Sequence, residues 1–134
     1  MSYEMLILGL MTLFLIFSWL PISLARYQAY GASWLISSRD TGNLPPLPEW
    51  GQRAVRAHDN LRESYPGFAV AVLLLAFSGG FTRYTAAAAM VFLVARLVHM
   101  PADIIGIPWL RTLSWLAGFA ATIYLLAMAL AVLV

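Results

Sequence analysis

Four long apolar stretches, separated by short polar or turn-forming segments, set the pattern of this chain. A hydrocarbon slab of about 30 Å is crossed by about 20 helical residues. The run from Met5 to Ala25 supplies a first span, with a kink expected at Pro21. Tyr65 to Ser78 is apolar but too short alone; carried back through the polar stretch around Arg56, it becomes a second span over about residues 54–79. Gly79-Gly80 then breaks the chain, a third span runs from Tyr84 to about Asp103, and a fourth from Trp109 to Val134 behind Pro108. Between the first two spans, residues 27–52 carry Ser37-Ser38-Arg39-Asp40-Thr41-Gly42-Asn43 and the prolines 45, 46 and 48, which read as a loop outside the hydrocarbon. The pattern predicts an all-α integral membrane protein, a four-transmembrane-helix bundle forming one domain over residues 1–134.

Charge placement orients the bundle. Arg26, Arg39, Arg53, Arg56 and Arg111 gather at the loop end, against Arg83 alone in the opposite turn. The loop side is therefore expected to face the cytoplasm, with both termini outside. Trp50, Trp109 and Trp115 fit an aromatic belt on that side. Met1-Ser2-Tyr3-Glu4 lacks the basic start of a secretory signal, so the first apolar run is expected to be retained, and Glu4 reads as a solvated end.

Composition narrows the partners. The chain is 62% hydrophobic and only 10% charged, so membrane lipids are its natural surroundings. A formal charge of +2, split between helix ends, gives no footprint for nucleic acid. With no Cys, neither a disulfide nor a protein thiol nucleophile is available. All eight basic residues are Arg, the side chain that stays ionised and grips carboxylates as a fork.

The chemistry concentrates at the entrance of the second span. A charge at the centre of a membrane helix costs about 2.5–3.5 kcal/mol on insertion scales, so it has an internal partner or a task. Arg56, Asn60 and Glu63 fall on one helical face, and Arg96, His99 and Asp103 on one face of the third helix, while Arg111 opens the fourth. From helical rise, Glu63 lies about 24 Å from Gly79, and Arg96 about 18 Å from Tyr84, both within reach of the hydrocarbon. Two readings stay open from these residues. The stripes hold a zwitterionic or anionic small molecule, or they neutralise one another as Arg56–Glu63 and Arg96–Asp103 ion pairs. His58 and Arg62 point away from the Arg56 face, and Arg62 is expected to reach up to the headgroups. A metal site of His99, Asp103 and Glu63 lacks paired His or Cys ligands, and no metal is expected. Ala86–Ala89 and Ala117-Gly118 with Ala120-Ala121 have the small side chains of close helix contacts.

Arg56-Ala57-His58, Asn60, Glu63, Pro66 and Phe68, followed by Ala95-Arg96, His99 and Arg111-Thr112, resemble the MAPEG family, membrane-associated proteins in eicosanoid and glutathione metabolism. The likeness runs from Arg26 through the loop to the fourth helix and is to the microsomal glutathione transferase-like members. It implies a homotrimer with glutathione, as co-substrate, lying between neighbouring subunits at the cytoplasmic side. It carries glutathione binding to Arg56, Asn60, Glu63, His99 and Arg26, thiolate stabilisation to Arg111, and a neighbouring role to Thr112. Asp103 stands at a tripeptide-facing position where members often have Tyr, and Asp59 where the prostaglandin synthase branch has a further Arg. The implied activity is that of a glutathione-dependent transferase or peroxidase acting on small hydrophobic electrophiles. The residue types suit it. Glutathione's two carboxylates and one ammonium call for several Arg and one acid, and a guanidinium lowers a thiol pKa from about 8.5. The alternatives are a non-catalytic protein binding a lipid or quinone-like amphiphile, and a structural subunit of a membrane complex.

Overall fold

The computed structural model describes residues 2–40 and 42–134; Met1 of the N-terminal tetrad and Thr41 of the turn-rich loop lie outside the described residues. The described residues are helical, with no strand. Helix α1 spans Tyr3–Phe17, α2 Leu20–Tyr30, α3 Ala32–Leu35, α4 Glu49–Ser78, α5 Arg83–Ile105 and α6 Pro108–Leu133. Four helical stretches are long and apolar enough to cross a membrane: Tyr3–Tyr30, in which α1 and α2 run on, then α4, α5 and α6.

Local chemistry explains the ends. Ser2 caps α1 by accepting from Met5 N. The break in the first span falls at Ser18–Trp19 rather than at Pro21 itself. Pro21 has no N–H, and its ring excludes the carbonyl four residues back, so the ladder stops at Phe17. Helix α2 ends at Gly31, whose φ of +85° favours glycine. The single turn α3 and the following loop are tied down, with the Tyr30 hydroxyl donating to the Pro45 carbonyl and Arg39 stacked over Trp34. Gly79, at φ +68°, lets Gly80 N donate back to Leu75 O and end α4. Thr82 and Thr85 form a reciprocal cap at the start of α5.

Helices α4, α5 and α6 pack on one another, and α1 leans on α4 and α5. The contact is made by small side chains, including Ala57, Ala71, Ala89, Ala121 and Ala129, around a stack of Phe68 on Phe92 with centroids 4.0 Å apart. Of the Ala-rich stretches expected at contacts, Ala89, Gly118 and Ala121 face inward and Ala117 and Ala120 outward. Large apolar side chains such as Leu13, Ile16, Val70, Phe77 and Ile123 point outward, as a lipid-facing surface requires.

Glu4 corrects the expectation of a solvated end. It is 2% exposed and accepts a hydrogen bond from the Thr85 hydroxyl. Helices α1 and α5 start at the same end of the bundle, so the Glu4 carboxylate meets the cap of α5, where free N–H groups favour negative charge.

Candidate functional site

The opposite end gathers the polar residues. There α4 begins, α5 ends and α6 begins, joined by a turn of Gly106-Ile107. Arg53 of α4 pins that turn: its Nε donates to Ile104 O at 2.8 Å, and a Cβ added at Gly106 would come 3.3 Å from its Cζ. This contact fixes the start of α6, and with it Arg111, against the last turn of α5.

A cavity of about 380 Å³ opens at this end, lined by Arg56 and Asn60 of α4, His99 and Asp103 of α5, and Arg111, Thr112 and Trp115 of α6. A second cavity, about 280 Å³, lies next to it and shares Asn60 and Trp115. Its remaining wall is Glu63, Ser64 and Gly67 of α4, Phe92 and Arg96 of α5, and Gly118, Phe119 and Thr122 of α6. Helical spacing produces this arrangement. Each α4 residue recurs after three or four positions, so its face turns steadily toward the groove between α5 and α6.

Six expected site residues thus line the first cavity, and Glu63 lines the second. Arg26 lines neither. It sits half-buried on α2, which packs against α4 through Ala25 and Gly51. His99 and Asp103 are buried, whereas Arg56, Glu63, Arg111 and Thr112 are exposed on the single chain.

Neither ion pair weighed from the sequence forms among the described residues. Both pairs are seven residues apart, about 10.5 Å along a helix, a gap that only side chains fully extended along the axis would close. Asp103 instead pairs across the turn with Arg111 Nη1 at 3.7 Å. Arg96 Nη2 donates to Asn60 Oδ1 at 2.7 Å, crossing from α5 to α4. Arg56 and Glu63 make no hydrogen bond or ion pair to described residues. Arg96 Nε and His99 Nδ1 are enclosed without a partner.

His58 and Arg62 lie off this face. His58 Nδ1 meets the Ser18 hydroxyl at 2.7 Å, bracing the break in the first span. Arg62 and Asp59 form an exposed pair at 3.9 Å. Among the described residues no group of three His, Asp or Glu is placed to hold a metal ion.

The pattern that defines the MAPEG family matches residues 4–131 of the 134-residue chain. The chain belongs to the MAPEG family. No curated protein and no solved structure matched it. As a MAPEG protein with four apolar spanning helices, it is an integral, multi-pass membrane protein of the glutathione and eicosanoid metabolism family. Among the residues lining the two cavities, the sequence assigns Trp115 and Gly118 other roles, and Ser64, Gly67, Phe92, Phe119 and Thr122 none. Trp115 was placed in the aromatic belt, yet it lines both cavities and stacks on Phe119, with centroids 5.2 Å apart. Its offset of four from Arg111 puts it on the same helical face, a signal legible in the MAPEG chain from spacing alone.

Proposed function

We propose that this protein is a glutathione-dependent membrane transferase or peroxidase for small hydrophobic electrophiles, working as a homotrimer with its loop side in the cytoplasm. One observation carries the reading: residues from three helices converge on a single polar cavity at the bundle end, next to one walled by both apolar and polar side chains.

The residues fit glutathione as a substrate. Arg56 is an uncommitted guanidinium for one carboxylate, and Glu63 an uncommitted acid for the ammonium. Asn60 accepts from Arg96 through Oδ1, which leaves its Nδ2 to donate to the tripeptide. His99 lines the cavity, its Nδ1 turned inward and enclosed. Arg111 favours the thiolate over the thiol, with Thr112 beside it. Arg26, remote from the cavity of its own chain, reaches a site from a neighbouring protomer. The trimer also covers Arg56 and Glu63, which a lone protomer would present to lipid at a high free-energy cost.

Calorimetric titration of purified protein with glutathione should show binding, and Arg111→Ala should remove the thiolate ultraviolet band. Wild-type protein that binds no glutathione ends this reading.

The Asp103–Arg111 pair favours a second reading. A carboxylate in the cavity makes it less cationic and suits a less anionic guest, so the protein holds a lipid headgroup or quinone without turnover. Native mass spectrometry of gently extracted protein separates the two: a co-purifying amphiphile supports the second reading, and empty protein counts against it.

A further inference from the structure

Behind the turn that joins α5 to α6 lies a third, smaller cavity, of about 220 Å³. Arg53 of α4, Asp103 of α5, Gly106 of the turn, and Pro108 and Arg111 of α6 line it. It sits where three spanning helices end on the loop side, the level at which a bundle meets lipid headgroups. Ile105 and Trp109, next in the chain to Gly106 and Pro108, are 68% and 65% exposed. An aliphatic side chain and an indole placed there suit the boundary between headgroup and acyl chain.

The charges in this cavity are only partly used. Arg53 donates through Nε to Ile104 O, and its Nη1 stands 3.9 Å from Glu49, a side chain 91% exposed. Arg111 directs Nη1 to Asp103 Oδ1 at 3.7 Å. The Nη2 groups of both arginines make no bond to described residues. Asp103 Oδ2 makes none either, and it is not sealed off. Two guanidinium groups with free donors thus stand beside one carboxylate with a free acceptor. A simple anion would meet Asp103, and a simple cation would meet the arginines. A guest carrying a phosphate and an N–H cation a few bonds apart satisfies both. Basic pockets between membrane helices at this level take lipid headgroups, and Asp103 selects among them.

We propose that this cavity binds the headgroup of an ethanolamine phospholipid, its phosphate on Arg53 and Arg111 and its primary ammonium on Asp103 Oδ2. A choline headgroup has no N–H and a glycerol headgroup no cation, so neither makes the charged bond to Asp103. The site is distinct from the proposed glutathione cavity: Arg53 and Gly106 line only the smaller space, Arg56 and Thr112 only the larger. Asp103 and Arg111 line both, so a lipid held here touches the residue proposed to favour the thiolate. Binding of the lipid itself does not depend on the glutathione reaction.

Delipidated protein in detergent is titrated with ethanolamine, choline and glycerol phospholipids of identical acyl chains, and bound lipid is counted by native mass spectrometry. The ethanolamine lipid should bind about tenfold or more tightly than the other two, as a hydrogen bond between charged groups provides. Asp103→Asn should abolish its lead over the choline lipid, and Arg53→Gln should weaken it about tenfold. Equal binding of ethanolamine and choline lipids by wild-type protein overturns the assignment, even if Arg53→Gln fails to fold. A glycerol lipid that binds as tightly as the ethanolamine one marks a merely basic patch and overturns it too. If Arg56→Gln loses the lipid while Arg53→Gln keeps it, the lipid lies in the larger cavity and the smaller site is refuted. Glycerophosphoethanolamine, the same headgroup without chains, should bind at least about tenfold more weakly, for want of apolar burial. Binding equal to that of the lipid would make a soluble phosphoester the ligand and end the lipid assignment.

Discussion

Replacing Asp103 by Asn tests how the site sets the reactivity of its thiol. The Asp103 carboxylate is 3.7 Å from Arg111 Nη1. Unit charges at that distance attract by about 4 kcal/mol at an effective dielectric near 20. The Arg111 side chain is 44% exposed against 6% for Asp103, so water on one side screens the pair. Screened pairs of this kind are worth nearer to about 1 kcal/mol. Asn keeps the shape and removes the charge, so Arg111 is released toward the thiolate and a repelling anion disappears. Both changes act in one direction, favouring the ionised sulfur. At about 1.36 kcal/mol per unit, the thiol of bound glutathione should titrate about half to one pH unit lower in Asp103→Asn than in wild type. The thiolate ultraviolet band, followed against pH at saturating glutathione, gives the midpoint directly. A midpoint that stays put, or moves up, means that Asp103 holds Arg111 in its working position, and the electrostatic argument is wrong.

Two further outcomes concern the scaffold. Asn60→Leu removes the Nη2 partner of Arg96 inside the bundle. It should lower stability by about 1.5–3 kcal/mol, the worth of a hydrogen bond to a charged group, seen as a reduced unfolding midpoint in detergent; an unchanged midpoint contradicts the bridge. Gly51→Leu places a Cβ 2.8 Å from Ala25 Cβ and 3.3 Å from Leu47 Cβ. Overpacking of about 1–3 kcal/mol should loosen α2 from α4, and faster proteolysis within residues 26–48 would report it. Protection equal to wild type would show that the α2 contact yields freely.

Hydropathy made the spans legible, because a membrane helix must satisfy its own backbone and therefore declares itself by length. The polar face was equally legible, since offsets of three and four place Arg56, Asn60 and Glu63 together on any helix. The pairings were not. Arg56–Glu63 and Arg96–Asp103 share a face but stand two turns apart, a gap that only side chains extended along the helix axis would close. The Arg111–Asp103 and Arg96–Asn60 contacts depend on how α4, α5 and α6 meet, which no local pattern states. Glu4 was misread for the same reason, since its partner Thr85 lies 81 residues away. Pro21 did break its helix, one turn early, where its missing N–H and its ring act.

The polar first half of α4 also bears on how the protein is made. Its best window has a mean hydropathy of 1.2, against 2.3 for the first and last spans and 1.7 for α5. Arg and Asp at a helix centre oppose partition into lipid by about 2.5–3.5 kcal/mol each on translocon scales. Helix α4 is therefore the reluctant passenger during biogenesis. The Gly79-Gly80 turn and the Arg96–Asn60 bond tie it to α5, so insertion of the two as a hairpin is the expectation. Variants that lose that bond would fail first as missing protein in the membrane, before any deficit in turnover is measured.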